Sequence, residues 1–342
     1  MVDFLALNKD LSWCRRHMGD KESEVSLCGV PEWFGLPENS TASYVNDIFV
    51  AVFTALLCCF AICSNLLIIV TTVKTPSLQK PCNILLCSLA AADWLTGLTS
   101  MPMFAALRLI IHRVPSTCSY QEDLFTAFYA SIMLTSGWSF AILTFVSFDR
   151  LNALSRPISY RLRVTVEGTV KTMSFIGVSW FLLTILAQLL LSSILELVFS
   201  MTLIAIFIII PTVNHIRMYL AIRRHNKELR RLVASVRLTT VLRREKKTAI
   251  DMFVITMVLL LCLVPAILIK STQVPFPRVY SFLQPWSIAM VFSNSALNPL
   301  IYTLRNQSLR DAMRNVILRR NRRAIGIITS ESGGRTQELV MF

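Results

Sequence analysis

The feature that most constrains this chain is a series of long apolar stretches that contain almost no charged side chains. A helix needs about 20 apolar residues to cross the hydrocarbon core of a bilayer. Five stretches reach or approach that length, and a further one is about twice as long as one crossing requires. Only Asp93 and Glu196 carry a charge within them. The stretches are 48–73, 81–107, 124–148, 172–214, 252–269 and 279–304.

The stretch from Thr172 to Asn214 must therefore be divided into two crossings. Ser192 and Ser193 form its most suitable polar pair for a turn near the middle. A break there predicts seven transmembrane helices, with the fourth and fifth joined by a very tight hairpin. The expected fold class is an all-α membrane protein, a seven-helix bundle.

The composition agrees with this interpretation. Hydrophobic side chains make up 54% of the 342 residues and charged ones only 16%. A soluble domain has about a quarter of its residues charged. A soluble enzyme is therefore an unsuitable description of this chain.

The basic residues predict the orientation of the bundle. Eleven Lys and Arg residues lie between Arg217 and Lys247, after the fifth predicted span, and eight lie between Arg305 and Arg335, after the seventh. Cytoplasmic loops carry such an excess of Lys and Arg, so the amino terminus is expected outside and the tail inside. The net charge of +14 then reflects topology, and no nucleic-acid partner is expected. Asn39, in an Asn-Ser-Thr sequon, is a glycosylation site on the predicted outer side.

Four regions follow from this topology. An extracellular arm precedes the bundle, and a short amphipathic helix with basic residues follows it on the inner leaflet. The last region, rich in Ser and Gly, is expected to be a disordered cytoplasmic tail. The predicted boundaries are 1–46, 47–304, 305–323 and 324–342.

Polar side chains inside the predicted spans are the most informative positions, because they are costly in hydrocarbon and usually face the bundle interior. Asp93 is the single deep carboxylate of this set. One interpretation is a structural cluster that ties helices together. The other is an allosteric Na⁺ site, since carboxylate and hydroxyl oxygens suit a hard cation; no other cofactor and no resident metal is expected. The residues of this polar core are Asn65, Asp93, Ser139, Asn294, Ser295 and Asn298.

A second group lies at the inner ends of the third and sixth spans. Asp149 and Arg150 are adjacent, and Glu245 comes just before the sixth span. Asp149 can hold Arg150 locally, and Glu245 can reach it from another helix as a charge-assisted pair. This arrangement predicts a breakable clasp between two helix ends; the alternative is an ordinary interfacial ion pair.

These residues resemble the motifs of rhodopsin-like (class A) G-protein-coupled receptors. The resemblance extends over about residues 47–320, with one motif in nearly every span and all of them in order. Each motif is weak alone, but the ordered set is specific. It consists of Ser64-Asn65, Ser88-Leu89-Ala90-Ala91-Ala92-Asp93, Asp149-Arg150, Trp180, Cys262-Leu263-Val264-Pro265 and Asn298-Pro299-Leu300-Ile301-Tyr302.

The resemblance implies a plasma-membrane receptor that transmits an extracellular signal to heterotrimeric G proteins. Arg150 would leave Glu245 on activation, and a G-protein helix would enter beside Arg150 and Tyr302. Ile158, after Pro157 in the second inner loop, resembles the apolar residue with which the family contacts its G protein.

Several positions depart from the family pattern. Leu151 follows Arg150 where a Tyr is usual, Leu263 replaces the Trp before Pro265, and Phe207 stands where the fifth span usually has a Pro. The usual disulfide needs a Cys in the second outer loop, and that short loop has none. One bridge within an outer set of three Cys residues is expected instead, with the pairing open: Cys14, Cys28 and Cys118.

The short second outer loop and the missing Pro are similar to melanocortin receptors, with adenosine and cannabinoid receptors as neighbours. The acidic peptide-binding positions of melanocortin receptors are not matched, and Ile132 lies where amine receptors carry an Asp. The ligand stays open between an apolar, lipid-like molecule and a peptide. The expected pocket lining is apolar: Phe128, Ile132, Ile267 and Ile288.

Two other function classes are disfavoured. An intramembrane enzyme using two acids would need a second deep carboxylate beside Asp93, and the four His residues show no metal-ligand spacing. A transporter or channel is the alternative to a receptor, but internal symmetry and paired broken helices are not apparent.

Overall fold

The computed structural model describes residues 41–111, 118–191 and 193–231, residues 277–318, and parts of the segment between 250 and 276. All regular elements among these residues are helices. They are α1 (Thr41–Lys74), α2 (Pro81–Leu98), α3 (Ser100–Ile110), α4 (Cys118–Ser155), α5 (Pro157–Arg163), α6 (Val166–Leu190), α7 (Ser193–Arg231), α8 (261–269), α9 (Pro277–Arg305) and α10 (307–318), with a 3₁₀ turn at Pro76–Leu78.

Five helical stretches of the described chain are long and apolar enough to cross a membrane: Thr41–Lys74, Pro81–Ile110, Asp123–Ser155, Val166–Leu190 and Val198–Arg224. Each coincides with one of the first five predicted spans. The sixth predicted span is described only in part, and the seventh corresponds to α9. The all-α, seven-helix fold class is confirmed.

The hairpin between the fourth and fifth spans lies where the sequence predicts it. Helix α6 ends at Leu190 and α7 begins at Ser193. Leu191 leaves the helix with extended dihedrals, φ −89° and ψ 142°. Two residues therefore separate helices that would otherwise form one rod too long for the bilayer.

The second span is one predicted stretch but two consecutive helices. Helix α2 ends at Leu98, and α3 follows after Thr99. Pro102 has no N–H to donate to the carbonyl four residues earlier, which belongs to Leu98, so the regular bonding is lost there. The two helices together still form one membrane-length stretch, Pro81–Ile110, as the predicted span requires.

Two large apolar clusters form most of the described interior, and the polar core separates them along the helices; a smaller third one surrounds Leu154 and Met218. One of the two large clusters contains Ile68, Leu89, Ile142, Val146 and Tyr302, among others. The other contains Phe104, Phe128, Ile288 and Phe292, among others. We call the end of the bundle that contains the first cluster the Arg150 end, and the end that contains the second cluster the Asp47 end.

Many large apolar side chains point outward. Phe49 and Leu56 on α1 and Phe175 and Leu189 on α6 are all more than half exposed. An apolar outer surface is expected of helices solvated by lipid. Because lipid tails are as apolar as Leu, close packing and polar contacts between helices must hold the bundle together.

Trp180 gives an example of such packing between α6 and α4. Its indole Nε1 lies 3.2 Å from the carbonyl oxygens of both Met133 and Leu134. A Cβ at Gly137 would lie 2.3 Å from its Cζ2. Only glycine permits this approach, which corresponds to the small-residue contacts of membrane helix pairs.

The predicted amphipathic segment is also helical. Leu309 and Ala312 of α10 are buried and belong to the apolar cluster of the Arg150 end. Arg310, on another face, lies 3.4 Å from the carbonyl oxygens of Thr303 and Leu304. The helix therefore has an apolar face against the bundle, while its basic residues Arg310 and Arg314 are exposed.

Candidate functional site

The polar core is centred on the carboxylate of Asp93, which is fully buried. Ser139 donates from Oγ to Asp93 Oδ1 at 2.8 Å, and Asn298 donates from Nδ2 to Asp93 Oδ2 at 2.8 Å. The Ser295 side chain approaches the same carboxylate. Three helices, α2, α4 and α9, thus meet at one acid, and both carboxylate oxygens accept a hydrogen bond.

Asn65 joins this group through the backbone and not through Asp93. Its Nδ2 donates to the carbonyl oxygens of Ala61, at 2.9 Å, and Ser295, at 3.1 Å. The bond to Ser295 links α1 to α9. The structure therefore brings Asp93, Ser139, Ser295 and Asn298 into direct contact and adds Asn65 at the edge.

The core also contains buried oxygen atoms without a donor among the described residues. These are the Oδ1 atoms of Asn65, Asn294 and Asn298. A buried acceptor without a partner is costly, and amide oxygens are suitable ligands for a hard cation. The donor set therefore fits a small cation, with Asp93 as its charge and Ser139 as a further oxygen.

The second group, at the Arg150 end, is organised by Tyr160, which the sequence interpretation missed. Tyr160 Oη donates to both carboxylate oxygens of Asp149, at 2.9 and 3.0 Å. Arg150 donates from Nη2 to Tyr160 Oη at 2.9 Å and also contacts Asp149. The three side chains form a closed cluster that joins the end of α4 to α5.

The short helix α5 brings Tyr160 to this position. Pro157 stands in its first turn, where the fixed φ of proline suits a helix start and its missing N–H costs nothing. Burial raises the pKa of Tyr160 well above its ordinary value, so the phenol stays protonated and can donate to Asp149. A Tyr in the loop after Asp149-Arg150 was the one available signal, and spacing alone does not show where its ring points.

The other predicted residues of this end lie in contrasting environments. Ile158, on α5, is 67% exposed, whereas Tyr302 is 3% exposed and its hydroxyl has no hydrogen-bond partner among the described residues. Glu245 lies outside the described residues, so the predicted clasp with Arg150 stays a prediction. Arg150 itself is 4% exposed, which is low for a guanidinium at a helix end.

A third polar group, at the Asp47 end, was not expected from the sequence. Arg108 Nη1 lies 3.6 Å from Asp47 Oδ1, and both side chains are almost fully buried. The Arg108 guanidinium also lies 5.5 Å from the centre of the Phe104 ring, within the range of a cation–π contact. Arg108 is therefore an interior residue with an acidic partner on α1.

Asn46 extends this group to α9. It donates from Nδ2 to the carbonyl oxygen of Phe282 at 3.0 Å and accepts from Trp286 Nε1 at 2.8 Å. The two neighbouring residues Asn46 and Asp47 thus hold α9 and α3 to α1. This arrangement fixes the relative positions of three helix ends.

The structure brings together three of the four residues that were expected to line the ligand pocket. Phe128 and Ile288 are buried in the apolar cluster of the Asp47 end, and Ile132 packs against it. Phe104 stacks on Phe128 with ring centres 5.6 Å apart and meets Phe292 edge-on at 5.7 Å. Ile267 is 48% exposed and the structure does not bring it to this cluster.

The remaining predicted sites lie at the edge of the described chain or beyond it. Asn39, Cys14 and Cys28 are outside the described residues. Cys118 is the first residue of α4, but its side chain is not among those described. The glycosylation and disulfide predictions therefore stay predictions.

Part of the chain is similar in sequence to known receptors. Residues 64–196 match the model of the 7 transmembrane receptor (rhodopsin family). Trace amine-associated receptor 7e of Rattus norvegicus is 37% identical over 123 residues, which are 36% of this chain and 32% of that receptor. Trace amine-associated receptor 8c of Mus musculus is 33% identical over 123 residues, 36% of this chain and 33% of that receptor.

The chain spans about a third of the length of the curated relatives that it matches. The segment 64–196 includes Asn65, Asp93, Ser139 and the cluster of Asp149, Arg150 and Tyr160. Over these residues the chain is similar to the rhodopsin family of seven-transmembrane receptors.

Proposed function

We propose that this chain is a rhodopsin-like G-protein-coupled receptor. The observation that carries the proposal is the buried cluster of Asp149, Arg150 and Tyr160, which closes one end of a helical bundle within the segment that matches the receptor family. Arg150 can have two arrangements: a closed one, in which it contacts Asp149 and Tyr160, and an open one, in which these contacts are broken. A signal that favours the open arrangement would expose Arg150 to a partner.

The partner in this proposal is a heterotrimeric G protein that binds at the Arg150 end. Ile158 supports this role, because a large apolar side chain that is 67% exposed on a loop helix can bury itself in a partner. Tyr302 is buried beside the same end and would line the space that Arg150 opens. Coupling would then depend on movement of the helix that carries Glu245.

The proposed localisation is the plasma membrane, with the amino terminus outside and the Arg150 end in the cytosol. The Lys and Arg residues that follow the third, fifth and seventh spans support this orientation. The sequon at Asn39 agrees with it, since glycan is added on the side away from the cytosol.

The ligand is proposed to be apolar and not a cationic amine. The matched relatives are named for trace amines, but Ile132 stands at the level where an amine-binding carboxylate would be needed, and it packs against an apolar cluster. An ammonium group without an anionic partner there would be poorly stabilised. The resemblance to melanocortin, adenosine and cannabinoid receptors stays a prediction about the finer subfamily.

The polar core is proposed to hold Na⁺ as an allosteric ion. Asp93 would supply the charge, with Ser139 and the amide oxygens of Asn294 and Asn298 as neutral ligands. This role is compatible with the structural one, because a cation shared by α2, α4 and α9 would also hold these helices together.

A cell-based assay with sensors for several G-protein subtypes tests the receptor function. Basal or ligand-driven activation should be lost in Arg150→Ala and retained in Arg223→Ala, which removes an exposed charge from α7. Solute or ion flux that survives Arg150→Ala, in the absence of any G-protein signal, would favour a carrier instead.

A further inference from the structure

A cavity of about 480 Å³ lies beside the Asp149–Arg150–Tyr160 cluster. It is bounded by the end of α4, by α5 and by the beginning of α6. Its volume falls within the range of small-molecule sites in proteins, which is about 300–1,000 Å³. Neither the receptor function proposed above nor the residues predicted from the sequence account for this space.

One side of the cavity is cationic. Arg156, which precedes α5, and Arg163, at its end, both line it. The single acid among the described lining residues is Asp149, and Tyr160 and Arg150 already occupy its oxygens. The local balance of charge in the cavity is therefore positive.

Charges on the neighbouring helix do not offset this balance. Glu167, in the first turn of α6, pairs with Lys171 at 2.7 Å, one helical turn later. The two form a local exposed pair and neither lines the cavity. The guanidinium groups of Arg156 and Arg163 can therefore bind an anion.

Hydroxyl groups from α6 and its N-cap contribute further polar atoms. Thr165, Thr169 and Thr172 line the cavity. Each hydroxyl already bonds to backbone of its own helix, with Thr165 Oγ1 accepting from Gly168 N at 3.1 Å and Thr169 Oγ1 donating to Thr165 O at 2.9 Å. Their oxygen atoms can still accept a hydrogen bond, and their short side chains leave space for a compact polar group.

Apolar side chains form another part of the cavity lining. Phe145 and Phe148 of α4 line it, and Phe148 is 42% exposed. The cavity thus joins an aromatic wall, continuous with the lipid-facing surface, to a basic wall at the helix ends. A ligand that fits both walls has an anionic head and an apolar body.

We infer that this cavity binds the phosphate group of an anionic amphiphile, with a phospholipid of the cytosolic leaflet as its source. Arginine suits this role because its planar fork binds phosphate through two parallel hydrogen bonds. The inference rests on the proposed orientation, which puts the Arg150 end at the inner surface, where anionic lipids are found. Binding would stabilise α5 where Tyr160 contacts Asp149.

Binding to the purified full-length chain in nanodiscs tests this inference without any signalling readout. Nanodiscs of phosphatidylcholine alone are compared with nanodiscs that also contain phosphatidylinositol 4-phosphate or phosphatidylserine. The phosphoinositide should raise the midpoint of thermal unfolding and be retained in native mass spectra, with phosphatidylserine weaker in both. Soluble inositol 1,4-bisphosphate forms a separate arm: stabilisation by it alone would assign the phosphate to a free ligand and overturn the lipid source.

The variant Arg156→Gln/Arg163→Gln should weaken phosphoinositide binding about tenfold or more, as expected for the loss of charge-assisted hydrogen bonds. The matched control is Arg223→Gln/Arg224→Gln, which removes two exposed charges from α7 and should bind as the parent chain does. Equal losses in both double variants would reduce the effect to general charge attraction and overturn the proposed site.

A second variant keeps the charges and fills the space. Ser159→Phe, on the cavity wall, should lose the phosphoinositide while both arginines remain. If Ser159→Phe binds the lipid with unchanged affinity, the cavity is not the site. This result also separates the inference from the receptor function, because G-protein activation through Arg150 could persist when lipid binding fails.

Discussion

Tyr160 on α5 donates its phenolic hydrogen to the carboxylate of Asp149, with the two oxygens at 2.9 and 3.0 Å. Arg150, the next residue after Asp149, donates to the same phenol. The acid and base that adjoin in sequence are therefore bridged by a third residue from a separate helix. This contact makes the position of α5 depend on the state of Arg150, and the reverse also holds.

Tyr160→Phe is expected to raise basal G-protein activation. The substitution keeps the ring but removes the hydroxyl that holds Asp149 and Arg150. A hydrogen bond to a charged group contributes about 1.5–3 kcal/mol, so the equilibrium between the closed and open arrangements should shift by roughly tenfold to a hundredfold, and basal activity should rise by up to that factor. Measurement is by G-protein sensor in cells, at matched surface expression. Tyr219→Phe, on an exposed position of α7, should leave basal activity unchanged; equal effects of the two would contradict the role of Tyr160.

Glu245→Ala is expected to raise basal activity by a different route. It would remove the acid predicted to hold Arg150 from the sixth span, so the equilibrium should move toward the open arrangement. The same sensor assay measures this, with Glu228→Ala as a control for loss of an acid from the same basic region. If Glu245→Ala leaves basal signalling unchanged while Tyr160→Phe raises it, the predicted contact between Glu245 and Arg150 is contradicted.

Asp93→Asn is expected to abolish stabilisation by Na⁺. The substitution is close in shape but removes the charge that the proposed ion requires. The purified chain should unfold at a higher temperature in NaCl than in choline chloride at equal ionic strength, and this difference should vanish in Asp93→Asn. Ser139→Ala, which removes one neutral oxygen, should reduce the difference and retain part of it. A sodium effect of full size in Asp93→Asn would exclude Asp93 as an ion ligand.

Asp47→Asn is expected to destabilise the Asp47 end strongly. Removing one partner of a buried ion pair costs about 3–5 kcal/mol, because the other charge loses that contact while it stays buried. The expected results are a lower unfolding temperature of the solubilised chain and lower surface expression.

The double variant Asp47→Asn/Arg108→Gln should recover much of this loss, since it removes both charges of the pair. If the double variant loses as much free energy of unfolding as the two single variants lose together, Asp47 and Arg108 act independently.

Gly137→Ala is expected to destabilise the contact between α4 and α6. The added Cβ would lie 2.3 Å from Trp180 Cζ2, so the ring or the helix must move, at a cost of about 1–3 kcal/mol. The matched control is Gly177→Ala, whose Cβ would lie 3.3 Å from Trp138 Cζ2 and needs only a small adjustment. Thermal unfolding of the solubilised chains measures both, and a larger loss in Gly177→Ala would contradict the packing described for Trp180.

The extent of the helices and the level of their polar residues could be predicted from the sequence. A charge-free run of sufficient length can be stable in lipid only as a helix, because every backbone polar group must be satisfied internally. The break before Ser193 follows from the same length limit. Asp93 had to find hydrogen-bond donors because an unpartnered acid in the interior is very costly, and Ser139 and Asn298 were among those available.

The identity of several partners was decided only by the tertiary structure. Asp47 and Arg108 are 61 residues apart, and each reads in sequence as a charge at the end of a span. Asn65 bonds to a backbone carbonyl of α9, and Tyr160 reaches Asp149 from a loop helix. These pairings depend on the rotation of each helix about its axis and on how closely neighbouring backbones approach. Hydropathy and spacing determine where a helix lies along the membrane normal, but the packing of side chains between helices determines which residues meet.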